Sequence, residues 1–233
     1  TLNTTIIDDG SLNQHTHIVL GAHSTINYAF IQKASPQAIV FDGLTIEADN
    51  TSIITIGSAT LGGAHCRLHR ETRLNGELAR VTHTEIAFAH HKQRFEITTN
   101  AVHNGHSTRG TMLTHSLVKD TAKTVARGLI TINEHADNAD SFVAQHALLL
   151  NRGAAADCVP DLEIHNSNVK ASHGASVTPI DKDKTFYLQT RGVDETNARR
   201  ELALATIENA LARTPTHFAE EVRTLIAAKW GAA

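Results

Sequence analysis

Short runs of β-branched and aliphatic residues recur at a nearly constant interval up to about position 180, and this interval limits the folds open to the chain. In the best-defined stretch the runs are centred on Ile97, Leu113, Ile130, Leu148 and Ile164, so consecutive runs are almost evenly spaced. Runs of three to five such residues, bounded by Thr, Asn, Asp, Gly and His, are typical of short strands. A constant period with little sequence identity indicates stacked coils. We therefore predict a β-helix with one coil per interval, each coil contributing two or three short parallel strands.

Two other β architectures compete with this prediction. A β-sandwich would normally show hairpin turns at a spacing of about 8–12 residues, but Asn75-Gly76 and Asn104-Gly105 occur without regular spacing. A left-handed β-helix, as in acyltransferases or zinc enzymes with interface histidines, would require an aliphatic residue at every sixth position. The sequence does not show this six-residue repeat. Aromatic residues make up only 4% of the chain, which favours a narrow, regularly layered, aliphatic interior.

The pattern changes near residue 181, where we place the boundary between a β-helix core over residues 1–180 and a helical region over residues 181–233. Asp181 is suited to cap a short helix, and Asp194 is suited to cap a longer one. Pro215 fits the first turn of a final helix, whose apolar residues repeat at helical spacing. These local signals predict three helices after the core.

Charge and cysteine usage exclude several classes of partner. The formal charge is −3, so nothing favours binding to nucleic acid or to an anionic membrane. No apolar run approaches the roughly 18 residues that a membrane span requires. The two cysteines, Cys66 and Cys158, lie far apart and form no disulfide framework, which indicates a reducing compartment. We therefore expect a cytoplasmic protein that binds neither nucleic acid nor membrane.

Histidine is unusually abundant, with 16 residues against 14 glycines. One cluster, His65, Cys66 and His69, combines imidazole with thiolate and is a weaker candidate for a metal site. For the other histidines, a polar residue on the surface of the β body is a sufficient account. A histidine-rich protein that binds several metal ions is an alternative function. No nucleophile elbow, phosphate-binding loop or dinucleotide fingerprint is present.

The most specific segment extends from residue 145 to residue 192. It contains, in order, LLL at 148–150, DCVPDLEI at 157–164, NVKASHGAS at 168–176 and FYLQTRG at 186–192. This composite pattern resembles the SufB/SufD family of iron–sulfur cluster assembly proteins, and the sequence around the histidine at 173 resembles the SufD form. The resemblance is strong over about residues 80–212 and weak in the part of the chain that precedes them.

The resemblance implies a mainly β fold, namely a right-handed parallel β-helix followed by a small C-terminal α-helical region. Family members dimerise through the C-terminal end of the β-helix, and their helical region docks SufC, an ABC-type ATPase. We therefore expect a SufD-like component of a SufBCD-type scaffold, which is not itself an enzyme. Its expected partners are a SufC-type ATPase and either a SufB-like paralogue or a second copy. No tightly bound cofactor is expected. We do expect an iron–sulfur cluster or iron to bind transiently at the dimer interface.

Candidate residues for the cluster site follow from the same resemblance. His173 matches the histidine that, in SufD, lies at the interface and is implicated in cluster assembly, and imidazole is a competent ligand for iron. Ala171 stands where SufD often has a cysteine, and Gln145 stands at about the position of the scaffold cysteine of SufB. The chain is therefore not expected to hold a cluster through thiolates alone. His146, beside Gln145, and Cys158 complete the candidate set.

The same resemblance places the ATPase contacts in the helical region. Arg191, Arg199 and Arg200 are the candidates for docking. Phe186 and Tyr187 are expected instead to pack the helical region against the last coil. The chain has no Walker motif, so it is not expected to be the ATPase.

Overall fold

The computed structural model describes residues 2–6 and 10–231, and most of these residues form two parallel β-sheets. The odd sheet consists of β1 (Leu2–Ile6), β3 (Thr25–Gln32), β5 (Ile53–Thr60), β7 (Arg80–Ala89), β9 (Arg109–Val118), β11 (Asp140–Leu149) and β13 (Lys170–Pro179). The even sheet consists of β2 (Leu12–Leu20), β4 (Ile39–Ala48), β6 (His65–Leu74), β8 (Arg94–His103), β10 (Lys123–Ile132) and β12 (Ala155–Ile164). Consecutive strands alternate between the sheets, so each coil gives one strand to each sheet. The predicted parallel β-helix is confirmed, and the parallel pairing excludes a β-sandwich of antiparallel sheets.

A full coil is longer than the sequence interval indicated. Register partners that follow one another along the odd sheet are nearly twice as far apart in the sequence as the apolar runs, as shown by Ile53, Arg80, Arg109, Asp140 and Lys170. The predicted interval is therefore a step between sheets, or about half a coil, and the prediction of one coil per interval is wrong. The strands after β1 are also longer than the apolar runs indicated, with nine residues in β2 and ten in β4, because polar residues interrupt the apolar runs without ending the backbone pairing.

The coils are held together by aliphatic columns inside and by side-chain ladders at the turns. Leu68 and Ile97 are register partners on the even sheet, and both are fully buried. Asn75, Asn104 and Asn133 directly follow β6, β8 and β10, and the amide of each later residue donates a hydrogen bond to the amide oxygen of the one before it. Such ladders satisfy side-chain polar groups at the turns that aliphatic stacking cannot.

Three helices follow the solenoid, as predicted: α1 (Lys182–Thr190), α2 (Glu195–Leu211) and α3 (Thr216–Gly231). The Asp181 carboxylate accepts hydrogen bonds from the backbone N–H groups of Asp183 and Lys184. The Asp194 carboxylate accepts one from the N–H of Asn197. Both predicted caps are therefore confirmed, because capping depends on local chemistry that the sequence shows directly.

The helices α2 and α3 pack on the outer face of the odd sheet. The rings of Phe88 and Trp230 lie 5.7 Å apart in this layer. Gly57 lets α3 approach closely, since a Cβ there would lie 2.9 Å from the Phe218 ring. Lys229 reaches between coils, and its ammonium group donates to the carbonyl oxygens of Leu61 and Phe88. These hydrogen bonds tie α3 to the solenoid. Because they bury the Lys229 side chain, the pKa of this group is lowered to about 7.

Candidate functional site

The last coil leaves the solenoid open at its C-terminal end. Within the described residues, β12 and β13 are the final strands of their sheets, and each has a strand neighbour on one side only. His173 in β13 is in register with Val143 and, one coil earlier, with Met112, and both of these are buried inside the solenoid. His173 is exposed, because no further coil in the described part of the chain covers its position in this interior column.

Cys158 occupies the matching situation on the even sheet. It is in register with Ala126 of β10, which is in turn in register with Ile97, and both of these residues are buried in the interior. The Cys158 sulfur lies 3.9 Å from the carbonyl oxygen of Ser176. Burial and the charge of Asp157 raise the pKa of the Cys158 thiol, so this thiol is protonated at neutral pH. The structure thus brings a thiol and an imidazole to the same open end from the two sheets.

His146 lies on the other face of the odd sheet. Its Nδ1 is 2.7 Å from the Ser176 hydroxyl, and its ring lies 5.0 Å from the ring of His115, its register partner. The same column continues to Ile86, which belongs to the layer under the helices. Burial, together with the charge of His146, lowers the pKa of His115 to about 4. Ser176 therefore contacts both candidates, His146 through its hydroxyl and Cys158 through its carbonyl, but the sheet separates the His146 ring from the interior.

Gln145, which the resemblance places at about the position of the scaffold cysteine of SufB, is fully buried inside the solenoid. Neither its amide oxygen nor its amide nitrogen has a hydrogen-bond partner in the part of the chain that the structure describes. The Gln145 side chain lies over Gly128, where a Cβ would approach the amide nitrogen to 2.8 Å. Because Gly128 has no side chain, there is room for the Gln145 amide on β11, the strand that pairs with the final strand β13.

Gln145 belongs to a polar column that the sequence analysis missed. Ser58, Glu85, Thr114 and Gln145 are successive register partners, and all four are buried. Alternation along β7 is the signal that identifies Glu85, because it shares a face with Val81 and His83, whereas the intervening residues point outward.

Charged groups from the even sheet meet this column. Arg70 and Asp42 form an ion pair with both side chains almost fully buried, and the Arg70 guanidinium stands 4.8 Å from the centre of the Phe30 ring. Within the odd sheet, His83 Nε2 is 3.9 Å from Glu85 Oε2, a separation too long for a hydrogen bond. Burial favours a higher pKa for Glu85, but His83 and Arg70 outweigh it and hold that pKa below its ordinary value. Glu85 is therefore an ionised carboxylate inside the solenoid.

The weaker metal candidate is not assembled by the fold. His65, Cys66 and His69 lie on β6, where alternate residues point to opposite faces. His65 and His69 are exposed, whereas Cys66 points inward and its thiol donates to the carbonyl oxygen of Gly62 at 3.1 Å. Burial raises the pKa of Cys66 to about 12. The thiol is therefore neutral and on the wrong face to join the two imidazoles.

The docking candidates occupy different environments. Arg199 is half-buried and donates to the carbonyl oxygen of Leu150, so it ties α2 to the end of β11. Arg200 pairs with Glu201 at 3.1 Å on the surface. Arg191 is exposed and lies just after α1.

The expectation that the α1 aromatics pack against the last coil is wrong. Phe186 is 67% exposed and Tyr187 is 57% exposed. The guanidinium of Arg191 lies 5.3 Å from the Tyr187 ring centre, within cation–π range. Thr185 is the buried residue of α1, so this short helix turns its two large rings outward. We call Phe186, Tyr187 and Arg191 the aromatic patch.

This fold and site define a class of protein: a two-sheeted parallel β-helix with an open C-terminal end and a helical region packed on one sheet. A family model described as SUF system FeS cluster assembly, SufBD core domain, matches residues 2–206. The chain belongs to this SufBD family of iron–sulfur cluster assembly proteins.

Individual relatives agree with the family assignment. The chain is 30% identical over 203 residues to iron–sulfur cluster assembly protein SufD of Escherichia coli, an alignment that covers 84% of this chain and 48% of that protein. It is 29% identical over 153 residues to SufB of Bacillus subtilis, covering 66% of this chain and 33% of the relative. A SufBD family protein of Staphylococcus saprophyticus is 30% identical over the same length. The chain thus spans about half the length of the first of these relatives and a third of the others.

None of the described helices is long and apolar enough to cross a membrane.

Proposed function

We propose that the chain is a SufD-like component of a SufBCD-type scaffold complex, in which an iron–sulfur cluster is cargo rather than a resident cofactor. The observation that carries this proposal is the open end of the solenoid, where His173 and Cys158 continue interior columns without a further described coil above them. Imidazole and thiolate are the nitrogen and sulfur ligands that iron accepts in clusters. The chain contributes ligands and surfaces to the complex and is not itself an enzyme.

The open end is also the proposed dimer interface, with a SufB-like paralogue or a second copy as the partner. The outer edges of β12 and β13 carry backbone groups that have no strand partner among the described residues. Unpaired edges of this kind readily pair with another chain. Ile164 and Val177 are partly exposed on these two strands. A partner that covers this end would bury these side chains and bring its own ligands close to His173.

Protonation of Cys158 fits an accessory role better than that of a principal sulfur ligand. Its raised thiol pKa opposes the thiolate form, and thiolate is the metal-binding form. The two cysteines of the chain are both free, and the proposed location of the complex is the reducing cytoplasm. His173 is therefore the principal candidate ligand, and its partner subunit supplies the remaining ligands.

The aromatic patch on α1 is the proposed docking surface for the SufC-type ATPase. Large exposed aromatic rings beside an arginine are typical of the residues that dominate protein–protein binding energies. Arg199 is excluded as a free contact because it already binds the solenoid. The aromatic patch, which includes Arg191, is therefore the centre of the proposed interface in place of Arg199 and Arg200.

Replacing both rings, as Phe186→Ser and Tyr187→Ser, is expected to weaken ATPase binding at least about 100-fold, because two hot-spot residues are lost. Affinity is measured by titrating the cognate ATPase against the full chain. Lys182→Ser, also exposed on α1, is the matched control and should bind like the wild type. Equal affinity of the double variant and the wild type would remove the aromatic patch from the interface.

A further inference from the structure

His90, His91 and Asp120 meet at two successive turns of the solenoid, far along the chain from the cluster candidates. The two histidines follow β7, and Asp120 lies one coil later, between β9 and β10. One ligand atom from each of the three side chains lies within 4.8 Å of the other two. In residues 2–6 and 10–231, this is the one group in which three such atoms converge.

Backbone hydrogen bonds fix the two turns to each other. His91 and Asp120 both have left-handed backbone conformations, with φ of 54° and 60°, which non-glycine residues adopt uncommonly. The His91 N–H donates to Asp120 Oδ2 at 2.8 Å, and the N–H of Thr121 donates to the His91 carbonyl oxygen at 2.9 Å. The His91 Nδ1 atom then stands 3.4 Å from Asp120 Oδ2. The side chains are thus held together before any ligand arrives.

His90 supplies a second, independent observation. Its Nδ1 is buried and has no hydrogen-bond partner in the described structure, and its ring lies 4.3 Å from the ring of His91. Buried polar atoms are nearly always paired, and a bound ion is one of the accepted explanations for an exception. Several other histidines contact a single carboxylate; His106 and Asp137, for example, stand 3.8 Å apart at another turn without a third ligand among the described residues.

His90 and His91 form part of the wall of a groove of about 800 Å³ between these turns and α3. Pro36, Leu61 and Leu225 give the groove apolar walls, and Lys33, Lys92 and Lys229 add positive charge. None of the described residues that line it is acidic. The positive charge of the lysines disfavours a bare cation at the rim of the groove. It favours a cation that carries an anionic ligand on the side that faces the groove.

We propose that His90, His91 and Asp120 bind one divalent metal ion of the zinc class. Two imidazoles and a carboxylate form a donor set that suits such borderline ions, and three protein ligands leave at least one coordination position open. The open position faces the groove, where a carboxylate or phosphate group completes the coordination.

The test is a zinc titration of the full chain against a competing chromophoric chelator. The wild type is expected to bind one Zn²⁺ per chain, and Asp120→Asn, which keeps the shape of the side chain, is expected to lower the affinity at least about tenfold. Asp137→Asn removes the carboxylate that His106 contacts at the other turn, and it should leave the zinc affinity unchanged. Co²⁺ in place of zinc gives visible absorption bands that report coordination by nitrogen and oxygen.

A second variant, His90→Gln, guards against a fold defect, and thermal melting of each metal-free variant checks its folding. Loss of the single site in both variants, with melting unchanged, supports the proposal. Equal zinc affinity in Asp120→Asn, His90→Gln and the wild type would overturn it, as would several weak sites per chain, which indicate scattered surface histidines. Added phosphate or acetate is expected to raise the zinc affinity, and no effect of either anion would contradict the open position on the groove side.

Discussion

Replacing Arg70 by Met is expected to lower the free energy of unfolding by about 3–5 kcal/mol, because it leaves a buried charge without its partner. The Arg70 guanidinium pairs with the Asp42 carboxylate and donates to the Asp42 carbonyl oxygen at 3.1 Å. It also helps to keep Glu85 ionised at full burial. Removing this cation therefore leaves the Asp42 carboxylate without its charged partner and weakens the stabilisation of the Glu85 carboxylate, in an interior where water cannot replace the arginine.

Urea unfolding of the full chain measures this effect. Arg67→Met is the matched control, since Arg67 lies on the same strand but is exposed, and surface ion pairs contribute at most about 1 kcal/mol. The double variant Asp42→Leu with Arg70→Met should recover part of the loss, because an apolar pair often replaces a buried ion pair at little cost. If Arg70→Met unfolded at the wild-type midpoint, the interior charges would have to be hydrated, contrary to the burial described above.

Phe88→Ala is expected to cost a similar amount, about 3–5 kcal/mol, by opening a cavity between the solenoid and the helical region. Phe88 is fully buried on the outer face of the odd sheet and contacts Trp230 of α3. The Phe88 carbonyl also accepts from Lys229. Loss of the ring is therefore expected to loosen α3 before it disturbs the coils beneath.

Trp230 is the single tryptophan of the chain, so its fluorescence reports on α3 alone. In Phe88→Ala the emission should shift to the red at a lower urea concentration than the loss of β-structure detected by circular dichroism. Phe41→Ala, a change of the same size at a half-exposed ring, should alter stability by about 0.5 kcal/mol or less. Coincident, wild-type-like transitions in Phe88→Ala would show that this contact does not hold the helical region.

The sequence predicts the helical region well because helix signals are local. The caps at Asp181 and Asp194 are formed by residues within a few positions of the carboxylate, so the local sequence alone reveals them. Exposure of Phe186 and Tyr187 is different, since it depends on where α1 lies relative to the last coil. Apolar residues in an amphipathic helix are usually buried, and nothing in the local sequence indicates that these two turn outward.

The solenoid was predictable in type but not in its repeat. The even spacing of apolar runs identifies stacked coils, but it does not show whether one step is a whole coil or a crossing between two sheets. The length of a coil could not be predicted because polar residues inside the core interrupt the apolar pattern that would mark the inner face of each strand. These residues include Glu85, Thr114 and Gln145. Strand alternation does separate Cys66 from its neighbouring histidines, so that part of the weaker metal candidate was open to prediction.

Contacts between coils could not be predicted from the sequence, because they depend on the exact register of the strands. His90 and Asp120 are far apart in the sequence, and only a known coil length brings them to adjacent turns. The same holds for His146 and Cys158, which meet at Ser176 on opposite sides of one strand. The resemblance to the family makes His173 a candidate ligand, whereas the register explains why its side chain is exposed at the open end.

The central claim is that the open end of the solenoid takes part in building iron–sulfur clusters, and it is tested by reconstitution. The full chain, a SufB-like partner and the SufC-type ATPase are supplied with iron and sulfide under reducing conditions, and cluster formation is followed by visible absorption. His173→Ala should lower the cluster yield at least about tenfold while size-exclusion chromatography shows an intact complex. His165→Ala, an exposed histidine just after β12, should leave the yield unchanged. A wild-type yield from His173→Ala would contradict the account.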